Sequence, residues 1–162
     1  MGIRSTGNND MARFDLSSAS LEGLKILVVE DEAIVSFMIE QVLSDLGCSA
    51  IWLAASVAEA DETLNRHQPD MAILDVNVGG DLIFPVAERL QNGGIPFVFT
   101  TGYGRTGLLQ SWLHCKVVHK PYDVEMLLNA LSSAWMLKQA GPNSPQQLCI
   151  NYQRGSNSAS RV

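Results

Sequence analysis

The chain has 162 residues, 46% of them hydrophobic, and a formal net charge of −6. That length and apolar content suit one domain with a core and frayed ends, and the acidic balance excludes a general nucleic-acid-binding surface, which needs clustered Lys and Arg. No apolar run approaches the roughly 18 residues of a membrane span, and MGIRSTGNND lacks the apolar stretch of a secretory signal, so the expected compartment is the cytoplasm.

Residues 1–20, rich in Ser, Asn and Gly, read as a flexible N-terminal extension. LKILVVE (24–30) is an apolar run without polar alternation, as expected for a strand buried on both faces. A helix follows, with Val35, Met38, Ile39, Val42 and Leu46 on its inner face and Gly47 as a left-handed stop. After a short strand at 49–53, Ser56 and Glu59 have the spacing of a capping box for a second helix, and Pro69 closes that connection. MAILDV (71–76) is the third strand, a helix spans about 82–91, and IPFVFT (95–100) is the fourth strand. A shorter helix is expected over 105–113, where Leu108, Leu109, Trp112 and Leu113 form an apolar cluster shared between the core and a partner surface. KVVH (116–119) is the fifth strand, and Val124, Leu127, Leu128, Leu131 and Trp135 mark the inner face of the last helix. From 139 to 162 the chain turns polar, which predicts a disordered tail too short for an output domain. Cys48, Cys115 and Cys149 are odd in number and widely spaced, and His67, His114 and His119 do not fall in ligand spacings with them, so neither a disulfide framework nor a zinc site is suggested.

Repeated strand and helix in this order predicts an α/β fold: a flavodoxin-like, doubly wound, five-stranded parallel sheet with helices on both faces. In the order 2-1-3-4-5 the first and third strands are neighbours, and ligands bind at their C-terminal ends. That order brings Glu30 and Asp31, just after the first strand, to the same edge as Asp75 at the end of the third. Two carboxylates 4 Å apart repel by roughly 4 kcal/mol at an effective dielectric of about 20. Protonation or a bound cation must relieve that repulsion, and hard oxygen donors with room for waters suit Mg²⁺. Thr101 ends the fourth strand and Lys120 the fifth, which adds a hydroxyl and a fixed positive charge to the same rim.

These tracts together resemble the receiver domain of bacterial two-component response regulators, the CheY-like fold, over about residues 24–138. The resemblance is carried by ILVVEDE, AILDVNVGG, FTTGYG and VVHKPY, each at a strand end and in this order. It implies a receiver domain over 21–138 in which Asp75 accepts a phosphoryl group from a histidine kinase or a histidine phosphotransfer protein. Glu30 and Asp31 form its acidic pair, Thr101 supplies the switch hydroxyl and Lys120 pairs with a phosphoryl oxygen. Mg²⁺ would be held by Asp31, Asp75 and the backbone carbonyl of Asn77, with Glu30 acting through water. A cis bond between Lys120 and Pro121 is also implied, as is a role as a signalling phosphoacceptor that assists its own phosphorylation and dephosphorylation and is not otherwise an enzyme. The fourth helix, fifth strand and fifth helix would form the surface for a downstream partner or a homodimer, with no nucleic acid and no membrane involved. The PFVFTTGYG tract is similar to a receiver subset found mainly in alphaproteobacteria, with Thr100 in place of its usual Ala.

Gly102, Gly104 and Gly107 also spell G-x-G-x-x-G. A dinucleotide fingerprint follows the first strand, however, and here the first strand is followed by EDEA, which repels phosphate. Val117 stands where many receivers carry an aromatic switch residue, so a rotamer switch on the fifth strand is not expected. Tyr103 stands where side chains of receivers often control water access to the acyl phosphate, so the resemblance implies a phosphorylated form longer-lived than a small polar residue there would allow. Two other classes remain: a receiver-shaped adaptor that binds partners without phosphorylation, and an oxidoreductase of the flavodoxin or nucleotide type. A small phosphodonor with Mg²⁺ discriminates the first, and copurifying flavin or nucleotide absorbance the second.

Overall fold

The computed structural model describes residues 21–102, 110–112 and 115–141. The extension 1–20, residues 142–162 of the tail, and Tyr103, Gly104, Gly107, Leu108, Leu109 and Leu113 lie outside the described residues.

Five strands form one parallel sheet: β1 (Lys25–Val29), β2 (Ala50–Ala54), β3 (Met71–Asp75), β6 (Phe97–Thr101) and β7 (Lys116–His119), in the order β2-β1-β3-β6-β7. Counting only the strands of this sheet, that is the expected 2-1-3-4-5. Between β3 and β6 lies a small antiparallel hairpin of β4 (Asn77–Val78) and β5 (Asp81–Leu82). Its turn residues Gly79 and Gly80 both have positive φ, 62° and 93°, the conformation of the two-residue turn that matches strand twist. Two-residue strands carry no hydrophobic period, so the helix expected from about 82 begins instead at Phe84.

Four helices cover the faces: α1 (Ala33–Asp45), α2 (Val57–Arg66), α3 (Phe84–Asn92) and α4 (Val124–Gln139). Alternation along the strands divides the core in two. Leu27, Val29, Leu74, Phe97 and Phe99 point to α2, α3 and Trp112, whereas Ile26, Val28, Ile73, Val98 and Val118 pack on Ile39 and Leu43 of α1 and Leu127, Leu128 and Leu131 of α4. Burying a Leu, Ile, Val or Phe side chain contributes about 1.5–3 kcal/mol each, and burial on both faces explains why the inner strands β1, β3 and β6 read as apolar runs.

Local signals set the helix ends. Ser56 Oγ accepts from the Glu59 N–H at 3.2 Å, while Glu59 Oε2 accepts from the Ala55 N–H at 2.8 Å, one residue earlier than in a standard capping box. Asp123 caps α4 through the Met126 N–H at 2.8 Å. Gly47, at φ 78°, ends α1 as the sequence predicts. Met38 departs from expectation: it is 43% exposed, because α1 turns it toward the shallow seam with α4, where it meets Tyr122 and Val124. Of the helix expected over 105–113, the described part is a 3-10 turn at Gln110–Trp112. Its Trp112 is 3% exposed and belongs to the core, stacked on Phe84 and edge-on to Phe97 and Phe99.

Candidate functional site

The C-terminal ends of β1, β3, β6 and β7 form one rim. Following β1 and continuing the alternation of Ile26 and Val28, Glu30 is directed to the α1 and α4 face, where its side chain is 1% exposed. Its backbone N–H donates to Ala54 O at 3.0 Å, and its Oε1 accepts from the Glu32 N–H at 3.2 Å. Asp31, exposed, is held from the other side by the Gly79 N–H, which donates to Oδ2 at 3.0 Å. The hairpin, absent from the expected elements, thus helps to build the rim, because its tight turn carries that N–H back over the edge. Asp75, buried at the end of β3, accepts from the Asn77 N–H through Oδ1 at 3.2 Å.

Lys120 joins these groups. Its ammonium donates to Asp75 Oδ2 at 2.7 Å, to Glu30 Oε2 at 2.8 Å and, more weakly, to Glu32 Oε1 at 3.4 Å. The Lys120–Pro121 peptide bond is cis, as the resemblance implies. Glu32, a residue outside the expected site, thus also faces this cation. Thr101 is the last residue of β6, buried, and its carbonyl accepts from the Lys120 N–H at 2.8 Å. It lies one position beyond Thr100, the register partner of Asp75. Asn77 is exposed at the start of the hairpin and touches the group through its backbone. All six residues expected at the site, Glu30, Asp31, Asp75, Asn77, Thr101 and Lys120, therefore come from this one edge.

Carboxylate oxygens of Glu30, Asp31 and Asp75 lie within 4.8 Å of one another. Each such pair costs roughly 3–4 kcal/mol at an effective dielectric of about 20, and the Lys120 ammonium pairs with two of the three, Glu30 and Asp75. The ends of the ion pair respond differently. Burial raises the Glu30 carboxyl above its usual value, and the Lys120 hydrogen bond only partly counters that. For Lys120, burial pulls downward, but hydrogen bonds and charges from Asp75 and Glu30 outweigh it and hold the ammonium above its usual value. Burial, reinforced by Glu30, pushes the Tyr122 phenol up to about 12.

The raised values of Lys120 and Tyr122 set the alkaline limit of stability. A group whose folded value is raised contributes fully below its unfolded value and loses that contribution as pH climbs through the folded one. The urea midpoint should therefore hold up to about pH 10, the ordinary tyrosine value, and fall as the pH approaches 12. Tyr122→Phe should flatten the early part of that fall.

The donor set suits a hard divalent cation: it is all oxygen, acidic and open to solvent on the Asp31 side. A model of the response regulator receiver domain matches residues 26–132. The chain belongs to that family. As a receiver it is similar to SdrG from Sphingomonas melonis Fr1, with a TM-score of 0.62 and 35% identity over 72% of this chain and 98% of that one. The receiver domain of Erythrobacter litoralis PhyR, at 23% identity and a TM-score of 0.65 over 78% of this chain and 97% of that one, shares the fold. The sensory transduction protein LytT of Bacillus anthracis is 28% identical over 129 residues, which is 77% of this receiver and 52% of that protein. The receiver spans about half the length of the curated relatives it matches. No helix among its described residues is long and apolar enough to cross a membrane.

Proposed function

We propose that this receiver accepts a phosphoryl group on Asp75 from a histidine kinase or a histidine phosphotransfer protein, in a Mg²⁺-dependent reaction, and that occupancy of Asp75 switches a protein-binding surface. One observation carries the reading: a buried carboxylate at a strand end, 2.7 Å from a lysine ammonium, shares its edge with two more carboxylates.

In the transfer, an Asp75 carboxylate oxygen forms a bond to phosphorus as the P–N bond to the donor imidazole breaks, and the imidazole leaves with the bonding pair and takes up a proton. A carboxylate needs no base for this, so the protein supplies position and charge. Lys120 passes from Asp75 Oδ2 to a phosphoryl oxygen, and Thr101 hydrogen-bonds another. Asp31, Asp75 and the Asn77 carbonyl would hold Mg²⁺, with Glu30 acting through water. When bound, the ion neutralises charge on the transferring group. Release of Lys120 from Asp75 frees the ends of β6 and β7 to settle differently, an order change of the ordinary switching kind. The surface read out is the β7 edge with α4 and the segment before β7, where a downstream protein or a second copy would bind. The cytoplasm is the compartment in which such donors act.

Incubation with acetyl phosphate and Mg²⁺ should add the mass of one phosphoryl group to the intact protein, and Asp75→Asn should abolish the addition. An unmodified wild-type chain overturns the reading and leaves the phosphorylation-independent adaptor. Asp31→Asn should weaken Mg²⁺ binding by about tenfold or more, equivalent to about 1.4 kcal/mol, in a calorimetric titration.

A further inference from the structure

Two buried hydroxyls lack a hydrogen-bond partner among the described residues: Thr100 Oγ1 and the phenol of Tyr122. Thr100 is 1% exposed. A hydroxyl sealed from water without a partner is costlier than a methyl of the same shape, so threonine is a conspicuous choice two residues after Val98 on the same strand.

Its position gives the reason. Phe97 and Phe99 face α2 and α3, Val98 faces α1 and α4, and alternation sends Thr100 with Val98. Its register partners are Asp75 on β3 and Val118 on β7, and Lys120 stands two residues beyond Val118 on that same face. Because β6 lies between β3 and β7, the 2.7 Å contact from Lys120 to Asp75 bridges across β6 on the face where Thr100 sits. Tyr122 follows the lysine by two residues and packs on this layer. Its phenol is buried on the face that carries the bridge, where the acids reinforce the effect of burial in raising it. An ammonium has three N–H donors. Two are well used, and among the described residues the third reaches only the solvent-exposed Glu32 at 3.4 Å.

We propose that one bound water joins Thr100 Oγ1 and the Tyr122 phenol beneath the bridge between Lys120 and Asp75, and that through it the two hydroxyls act as positioning residues for the Lys120 ammonium. A buried water needs two to four polar partners, and these three groups provide them. The water accepts the third ammonium proton and keeps Lys120 over Asp75 instead of swinging out toward Glu32. The kinetic part of this inference rests on Asp75 being the phosphoacceptor; the structural part does not.

The experiment combines Thr100→Val, Thr100→Ser, Tyr122→Phe and the double variant T100V/Y122F in the full chain labelled with ¹³C at the tyrosine ζ carbon, the Tyr122 signal being assigned by its loss in Y122F. Thr100→Val should move that signal and Thr100→Ser should restore it. Phosphorylation by acetyl phosphate at saturating Mg²⁺ should slow about two- to tenfold in T100V and in Y122F, the range for one hydrogen bond, with T100S near wild type. The double variant should be no slower than the slower single one, since one unit is lost in each. An unmoved Tyr122 signal in a T100V chain that is more heat-stable than wild type would mean that the threonine hydroxyl had no partner, and would overturn the proposal, as would rate losses that multiply in the double variant. If the wild-type chain takes no phosphoryl group, the functional reading fails and the tyrosine signal alone decides the water link.

Discussion

Replacing Lys120 by methionine is expected to cost roughly 3–5 kcal/mol of folding stability near neutral pH, the range for removing one partner from a buried charge cluster. The ammonium is shared by Glu30, Asp75 and Glu32, and without it the buried Glu30 carboxylate faces Asp75 uncompensated. The loss should depend on pH. Burial already raises the Glu30 carboxyl from 4.5, and removing the lysine raises it further. A carboxyl with a raised folded value contributes its stability below the unfolded value and loses it as pH rises through the folded one. Urea denaturation should therefore separate Lys120→Met from wild type narrowly near pH 5 and widely near pH 8. Mg²⁺ should narrow the gap at pH 8 by replacing part of the missing charge. An equal gap at both pH values would show that the aliphatic stem of Lys120, not its charge, carries the effect.

Phe99→Ala should cost a similar amount, about 3–5 kcal/mol, because a fully buried ring leaves a cavity that its surroundings fill only in part. Phe99 is 0% exposed, and its ring centre lies 5.2 Å from Phe97, 5.8 Å from Trp112 and 6.2 Å from Phe84. These contacts fix β6 from its α3 side, directly before Thr100 and Thr101. The measurement is urea unfolding followed by tryptophan emission, in which Trp112 should already emit at longer wavelength in the folded variant as water enters. A cost below about 1.5 kcal/mol, the level of a well-tolerated core swap, would mean that the aromatic group repacks and does not anchor the strand.

The features most legible in the sequence are those whose physics is local or periodic. Unbroken apolar runs marked the three inner strands, β1, β3 and β6, because a parallel strand covered on both faces has no polar side. Ser56 with Glu59 marked the start of α2, and the strand-end positions of Glu30, Asp31, Asp75 and Lys120 became neighbours once the strand order was assumed. What escaped depends on the third dimension. The hairpin at 77–82 is too short for any period, although adjacent glycines at 79 and 80 carried the turn signal. Met38 fits the helical period of α1, but the seam beside α4 is not visible along one helix. The pairing of Glu32 with Lys120 and the burial of Thr100 and Tyr122 follow from side chains crossing the rim between strands that are distant in the chain.

The contact between Lys120 and Glu30 joins residues 90 positions apart. Three acids are thus made well before their counter-charge, and a nascent chain that has emerged only as far as β6 carries their mutual repulsion unrelieved. Long-range contacts of this kind form late, so docking of the final strand both completes the sheet and makes the acidic edge tolerable. Fraying at β7 reverses that order: a chain damaged there would lose the counter-charge of its acidic edge while most of its core still stood.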